Sequence, residues 1–151
     1  MAIESKVIDI TDEKILELLT TNGRATYAYI GKQVGLSAPA VKERITKMEE
    51  AGIITGYTVQ IDRGALGFGI EAFMYIAVPP ERYDLFTPFV LADERVRDCY
   101  HMMGQQAFLL RIQVAAVSEL DAFIKLCLQK YGDSNTRLVL SKVKSAEIVS
   151  R

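Results

Sequence analysis

The chain has 151 residues, of which half are hydrophobic and a quarter are charged, and its formal net charge is −1. This composition is typical of a globular protein and excludes a disordered chain. No apolar run approaches the ~18 residues that span a bilayer, and residues 1–12 lack the apolar stretch of a signal peptide. We therefore expect a cytoplasmic protein with no membrane partner.

Local charge is more informative than net charge. Residues 24–47 carry five basic side chains and one acidic one, whereas the flanking segments are acidic. Such a basic segment is typical of a surface that contacts phosphates, although an ordinary solvated helix face can have the same composition. The basic residues are Arg24, Lys32, Lys42, Arg44 and Lys47, and the acidic one is Glu43.

The sequence contains no pattern that indicates catalysis or metal binding. Cys99 and Cys127 lie among apolar residues, which predicts two small buried side chains in a reducing compartment. With His101 as the only histidine, no metal-ligand set has a useful spacing. No nucleophile has a nearby base, and no glycine-rich phosphate loop is present. We expect no enzyme activity, metal or cofactor, and we interpret His101 as an ordinary strand residue.

The first half of the chain predicts three helices and a strand. The first helix is expected to begin at an Asp12 cap and to end at Asn22-Gly23. The second runs from Thr26 to Gly35, and the third from a Ser37 cap to Gly52. The turn between the last two has the length of a DNA-binding helix-turn-helix. Alternating side chains at residues 58–61 predict a strand, which would form a wing.

The second half predicts the order β-α-β-β-α-β. Strands are expected at residues 68–78, 96–103, 107–114 and 136–143. One helix is expected at residues 81–91, with Pro88 distorting its last turn, and another begins at a Ser118 cap, with Asp121 three residues on. This order is the ferredoxin-like motif, in which both helices cover one face of an antiparallel sheet. A second subunit is the simplest cover for the other face.

These elements together predict an α+β protein with two domains. Residues 1–62 would form a winged helix-turn-helix domain with its linker strand. Residues 63–151 would form a ferredoxin-like oligomerisation domain. Two glycines mark the linker between them, at residues 62–67.

Several short strings resemble the Lrp/AsnC family, also called feast/famine regulatory proteins. Each string alone is weak, but their order and spacing over residues 9–144 are specific. The resemblance implies a DNA-binding dimer whose C-terminal domains pair through their sheets, and dimers that often assemble into octamers. It also implies an amino-acid effector bound between dimers by residues 63–151. The strings are Asp12 with Ile15-Leu16, Gly23-Arg24, Val34-Gly35-Leu36-Ser37, Glu43-Arg44-Ile45, Glu50-Ala51-Gly52-Ile53-Ile54, Gly56-Tyr57, Ile61-Asp62, Leu66-Gly67 and residues 140–144.

The third helix is predicted to be the recognition helix. Lys42 can donate to guanine and Glu43 can accept from cytosine, whereas Ser37 and Lys47 are better placed for phosphates. Arg44 flanks the buried stripe and is interpreted as a structural ion-pairing residue. The buried stripe is Val41, Ile45 and Met48, and the predicted DNA-binding residues are Arg24, Tyr27, Ser37, Ala38, Pro39, Lys42, Glu43, Thr46 and Lys47.

A second candidate site is the turn after Met102. In the family this segment resembles Gly-x-x-Asp, but here Ala107 stands where the aspartate would be and cannot pair with an ammonium group. Ser134 and Thr136 match hydroxyl positions that a neighbouring subunit contributes, and they are equally explained as polar residues at the start of a strand. Three alternatives stay open: a different effector, a weakened one, or none. The predicted effector-binding residues are Met103, Gly104, Gln105, Gln106, Ala107, Ser134 and Thr136.

The sequence therefore predicts an oligomeric regulator that binds double-stranded DNA sequence-specifically and responds to an amino acid or a similar metabolite. One alternative is an architectural protein that wraps DNA with little effector control. Another is an enzyme or an enzyme-regulatory domain that binds a small molecule through the ferredoxin-like half.

Overall fold

A computed structural model describes residues 8–143, which divide into two compact units at residues 60 and 61. No helix among the described residues has both the length and the apolar character needed to cross a membrane. The first unit contains helices α1 (Ile10–Thr21), α2 (Tyr27–Val34) and α3 (Ala38–Glu50). The second contains strand β1 (Ile70–Ile76), a 3₁₀ turn (Pro80–Arg82), helix α4 (Tyr83–Ala92), strands β2 (Val96–His101) and β3 (Phe108–Val114), helix α5 (Val117–Lys130) and strand β4 (Ser134–Leu138).

Each helix of the first unit begins at a side-chain cap. The hydroxyls of Thr26 and Ser37 accept hydrogen bonds from amides in the first turns of α2 and α3. The cap at Ser37 is the predicted one, and Thr26 was predicted only as the place where α2 begins. The Asp12 cap predicted for α1 is wrong. Asp9 is the cap, and its carboxylate accepts from the Asp12 amide at 2.9 Å, while the Asp12 carboxylate accepts from the Asp9 amide at 3.2 Å. This reciprocal pair starts α1 three residues earlier because it satisfies two amides at once.

The prediction of a strand at residues 58–61 is wrong for the described part of the chain. The structure has no strand between α3 and β1, and residues 55–62 are all exposed. Alternating side chains supply the pattern of a strand, but a strand also needs a hydrogen-bonded neighbour. Residues 8–143 supply no such neighbour, so the predicted wing strand is not formed within this part of the chain.

The second unit has the predicted ferredoxin-like architecture. Its four antiparallel strands lie in the order β2-β3-β1-β4. Alternate side chains of β1 and β3 are buried, and they face α4 and α5. Aromatic rings fill the space between sheet and helices: Phe86 packs 4.9 Å from Phe108, and Phe89 stacks on Tyr131 at 4.9 Å between ring centroids.

Several boundaries differ from the sequence-based expectation. The strand β4 spans 134–138 rather than 136–143, because its pairing with β1 runs from Ile76–Ser134 to Ala72–Leu138. The strands β1, β2 and β3 are also shorter than expected. Helix α5 begins at Val117 without a side-chain cap, so the Ser118 cap is wrong. Helix α4 continues past Pro88 to Ala92.

The connection from α5 to β4 depends on a glycine that the sequence analysis did not single out. Gly132 has a φ of 157°, and a Cβ there would lie 2.0 Å from the Ala77 carbonyl oxygen. The neighbouring Asp133 carbonyl accepts from the Ala77 amide at 2.8 Å. Only a residue without a side chain allows β4 to start this close to the end of β1.

The two cysteines differ. Cys127 is fully buried, as predicted, and burial raises the pKa of its thiol to about 12. Cys99 is exposed on β2, so the prediction of burial is wrong for this residue. The reason is that β2 is an edge strand, with β3 as its only neighbour. His101 lies on the same strand and stacks on Phe108 at 4.6 Å.

Candidate functional site

The turn between α2 and α3 is held by a close backbone approach. Gly31 lies within α2, and a Cβ there would be 2.4 Å from the Leu36 carbonyl oxygen. The Leu36 amide donates to the Gly31 carbonyl at 2.9 Å, and Gly35 ends α2 in the left-handed region with a φ of 72°. These three residues set the angle at which α3 leaves the turn.

The face of α3 that packs inward is the predicted one. Val41, Ile45 and Met48 are at most 3% exposed. The residues proposed for DNA contact lie elsewhere on the surface of this unit. Ala38 and Thr46 are half-buried, and the others are exposed, namely Arg24, Tyr27, Ser37, Pro39, Lys42, Glu43 and Lys47.

Arg44 fastens α3 to the start of α1, as its place beside the buried stripe predicted. Its guanidinium donates to the Asp9 carboxylate at 2.7 Å and to the Asp12 carboxylate at 2.9 Å. The guanidinium holds the pKa of Asp9 below its ordinary value. The same two aspartates cap α1, so one cluster fixes the start of the first helix and the middle of the third.

The exposed face of α3 carries an ion pair that was not predicted from the sequence. The Lys47 ammonium lies 2.7 Å from the Glu43 carboxylate, one helical turn away, and both side chains are about two-thirds exposed. The hydrogen bond from Lys47 lowers the pKa of Glu43. Lys42 makes no ion pair with any described residue, so its charge is not neutralised locally.

A shallow groove of about 480 Å³ lies beside these residues in the same unit. Arg24 and Tyr27 line it, as do Glu49 and Tyr57, whose hydroxyl donates to the Glu49 carboxylate at 2.8 Å. Glu49 was not predicted from the sequence as a residue of this surface. The contact between it and Tyr57 joins α3 to the segment that follows and is visible only in three dimensions.

The turn between β2 and β3 is exposed and tightly closed. The Met102 amide donates to the Ala107 carbonyl at 2.6 Å, and Gly104 has a φ of 130°. The side chains of residues 103–106 face solvent. Ala107 is only 6% exposed and belongs to the apolar core, so its methyl group extends that core to the base of the turn.

The two predicted hydroxyl residues lie on the helix-facing side of β4. The Oγ of Ser134 and the Oγ1 of Thr136 are buried and have no hydrogen-bond partner. Ser134 is opposite Ile76, which is opposite Phe108 at the end of the β2–β3 turn. The strand β1 therefore separates Ser134 from the turn by two strand spacings, roughly 10 Å. One chain does not bring the two halves of this candidate site together.

Two family models match the two units. A model of the AsnC-type helix-turn-helix domain matches residues 8–49, and a model of the Lrp/AsnC ligand-binding domain matches residues 71–149.

The chain belongs to the Lrp/AsnC family.

Named relatives of this Lrp/AsnC protein are transcriptional regulators. It is 30% identical over 137 residues to the HTH-type transcriptional regulator LrpB of Bacillus subtilis, covering 91% of each chain. It is 52% identical over 69 residues to the HTH-type transcriptional regulator Rv2324 of Mycobacterium tuberculosis, where the match covers 46% of this chain and 47% of that protein. Its fold is similar to that of the transcriptional regulator NMB0573 in its L-Met complex from Neisseria meningitidis, with a TM-score of 0.86, 25% identity and coverage of 95% and 97%.

Family membership assigns the two units. Residues of the first form a DNA-binding helix-turn-helix, and the second is a ligand-binding domain. The Lrp/AsnC family consists of transcriptional regulators, which are not enzymes.

Proposed function

We propose that this protein is an oligomeric, sequence-specific regulator that binds double-stranded DNA through α3 and responds to a small metabolite. The observation that supports the DNA assignment best is the two-sided character of α3. Its inner stripe is fully buried and its middle is fastened by Arg44, while its outer face presents Lys42, Glu43 and Lys47 to solvent. A helix held this rigidly can place its side chains in the major groove in one register.

The proposed roles follow from side-chain chemistry. Lys42 donates to guanine acceptors, and Glu43 accepts from the cytosine amino group. Phosphate contacts come from Ser37, Lys47, Arg24 and Tyr27, which position the protein without reading sequence. The small side chains of Ala38 and Pro39 allow the start of α3 to approach the base edges closely, and Thr46 offers a hydroxyl further along the same helix.

The test is a double substitution on α3, Lys42→Ala with Lys47→Ala. We expect strongly weakened binding to a promoter fragment at every salt concentration. The slope of log K against log salt should become flatter by about 0.9 for each lost phosphate contact per protomer. Lys125→Ala is the matched control, since Lys125 is an equally exposed, ion-paired lysine in the second unit. Unchanged affinity and slope in the double variant would remove α3 from the interface.

We propose that the open face of the sheet pairs with a second copy of the chain. This face carries two transverse rows of side chains. One reads Asp98, Arg111, Phe73, Arg137 across the four strands, and the other reads Tyr100, Leu109, Tyr75, Asn135. In this row Asp98 at the β2 edge pairs with Arg111 of the same chain, and Arg137 lies at the β4 edge. A twofold axis parallel to the strands would place Arg137 of each copy opposite the Asp98 carboxylate of the other.

Following the family resemblance, such dimers would assemble further into octamers. Light scattering at micromolar concentration is expected to give a mass larger than that of a dimer. A monomer would contradict the assembly while leaving the fold assignment intact. Arg137→Asp is expected to weaken the dimer, because it places two acidic edges opposite each other.

We propose that the effector is an amino acid or a similar metabolite, bound where the β2–β3 turn of one subunit meets Ser134 and Thr136 of another. The L-Met complex of the solved relative supports the amino-acid class. Since Ala107 offers no carboxylate, the ligand would be held by backbone groups of Met103 and Gly104, the Gln105 and Gln106 side chains, and the two hydroxyls that lack partners.

A thermal-shift screen against amino acids tests this site. A ligand at ~100 times its Kd should add about 2.7 kcal/mol of stability. Thr136→Val is expected to abolish that shift without lowering the basal melting temperature, because the hydroxyl makes no hydrogen bond in the free protein. A flat screen with intact DNA binding would favour the second candidate function, an architectural DNA-wrapping protein, and the observation that favours it is Ala107.

A further inference from the structure

We infer that Glu43 determines specificity by rejecting DNA that lacks a base amino group opposite it, and that Lys47 is the counter-ion that makes this carboxylate tolerable near phosphates. The inference rests on the proposed role of α3 in DNA binding. It assigns to one acidic residue a function that the surrounding basic residues cannot perform.

The inference is based on the position and exposure of the Glu43–Lys47 ion pair. Glu43 is the only acidic residue between positions 24 and 47, and it lies on the exposed face of α3 between Lys42 and Lys47. Its carboxylate is 2.7 Å from the Lys47 ammonium. Both side chains are about two-thirds exposed, so the pair can separate without any repacking of the core. Exposed pairs of this kind contribute little to stability, so helix stability is a weak reason for their presence.

A carboxylate in the major groove can be satisfied in few ways. Being ionised, it only accepts hydrogen bonds. In the major groove each base pair offers one donor, the amino group of its cytosine or its adenine, while the remaining polar atoms are acceptors. The strand that faces Glu43 can therefore satisfy the carboxylate with cytosine or adenine but not with guanine or thymine. Where no amino group lies opposite, Glu43 loses water, gains no hydrogen bond and faces the acceptor atoms of the bases. This loss of binding free energy applies only to sequences that place no amino group opposite Glu43.

By pairing with Glu43, Lys47 reduces the repulsion between this carboxylate and the DNA phosphates, which would otherwise weaken binding to every sequence. In the free protein the pair is neutral, so Lys42 is the positive charge that α3 presents to the phosphates without an ion-pair partner among residues 8–143. When a base amino group engages Glu43, Lys47 is released to a phosphate. The number of phosphate contacts is then larger on the correct sequence than on random DNA. Specific binding should accordingly depend more steeply on salt than non-specific binding does.

The experiment compares the full-length protein with Glu43→Gln. Asp121→Asn is the matched control, because the Asp121–Lys125 pair on α5 has the same spacing, a 2.6 Å separation and similar exposure. Each protein selects its preferred duplexes from a randomised DNA library. Affinities for the duplex that the wild type selects and for a scrambled duplex are then measured between roughly 50 and 300 mM salt. The slope of log K against log salt reports the number of phosphate contacts.

The expected result has three parts. Glu43→Gln binds the scrambled duplex more tightly, with a salt slope steeper by about 0.9 per protomer, because Lys47 is freed for phosphates. The ratio of specific to non-specific affinity falls by about tenfold. The selected sequences lose a preference for cytosine or adenine at one base pair per half-site and keep the others, while Asp121→Asn matches the wild type throughout.

An unchanged sequence preference in Glu43→Gln would overturn the inference, and so would an equal loss of affinity for both duplexes. Either outcome leaves the proposed function standing as long as the wild type selects a sequence. If the wild type selects none and Lys42→Ala with Lys47→Ala changes nothing, the role of α3 itself fails. Thermal melting of each variant separates these outcomes from unfolding.

Discussion

The two units of this protein keep their shape by different means. Among residues 8–143, five hydrophobic residues form the buried core of the first unit, whereas fifteen form that of the second. The helices of the first unit are also held by individual contacts: the capping pair at Asp9, the ion pairs of Arg44, and the close backbone approach at Gly31. The second depends on burial of aromatic rings between its sheet and its helices.

This difference indicates which kinds of substitution should affect each unit most. In a small core, the position of α3 is determined by a few contacts at its edges, so substitutions of exposed or backbone-critical residues should alter DNA binding. In the larger core, surface changes should matter little and losses of buried volume should matter most. The following substitutions test that comparison.

Phe123→Ala should produce the largest effect. Phe123 is fully buried, stacks against Phe89 at 5.9 Å and lies under the Arg95 guanidinium at 4.9 Å. We expect a loss of about 3–5 kcal/mol in the free energy of unfolding, measured by urea denaturation. Leu91→Ala is the control, since Leu91 is 82% exposed and its loss should cost little. Equal losses in the two variants would contradict a burial-dependent second unit.

Gly31→Ala should have the next largest effect and should act in the first unit. The added methyl group would lie 2.4 Å from the Leu36 carbonyl oxygen, so α2 and α3 must move apart. We expect a cost of about 1–3 kcal/mol and a parallel loss of DNA affinity, measured by thermal melting and fluorescence anisotropy. At Gly23 a Cβ would meet only an atom 3.8 Å away, so Gly23→Ala should be nearly neutral. If both substitutions are neutral, the close approach is not what positions α3.

Asp93→Asn should give the smallest effect, one that depends on pH. Asp93 is mostly buried and accepts from Arg95 at 2.6 Å, and this hydrogen bond holds the pKa of the carboxyl below its ordinary value of 3.8. A lowered pKa means that the pair stabilises the fold fully above about pH 5, and that this contribution is lost as the pH falls through the folded-state pKa.

We therefore expect Asp93→Asn to cost about 1–2 kcal/mol near pH 7, and this difference from the wild type to shrink below about pH 4. Urea denaturation across this pH range checks it. Asp121→Asn should show neither the cost nor the pH dependence, because the Asp121–Lys125 pair is exposed. A difference that stays constant with pH would show that the ion pair is not responsible.

Much of the architecture could be read from local pattern. The start of α2 at Thr26, the cap at Ser37, the buried stripe of α3 and the β-α-β-β-α-β order each depend on residues close together in sequence. Two errors arose where distant residues decide the outcome: Cys99 became exposed because β2 is an edge strand, and residues 58–61 have no partner strand within residues 8–143. A third error was local, since the Asp9 cap depends on a reciprocal pair with Asp12, three residues away.

The candidate sites divide in the same way. The outward residues of α3 followed from helical periodicity, because one helix presents its faces in a fixed order. The pairing of Glu43 with Lys47, the fastening of Arg44 to Asp9, and the separation of Ser134 from the β2–β3 turn by β1 did not follow.

By itself, the sequence determined the family, the element order and the face of α3 that is buried, since each is encoded by side-chain type at short, regular intervals. Only the tertiary structure decided which charges pair, which hydroxyls lie buried without partners, and which glycines permit a close backbone approach. Those properties depend on distances between separate segments of the chain: an added Cβ would lie only 2.4 Å from a backbone oxygen at Gly31 and 2.0 Å from one at Gly132.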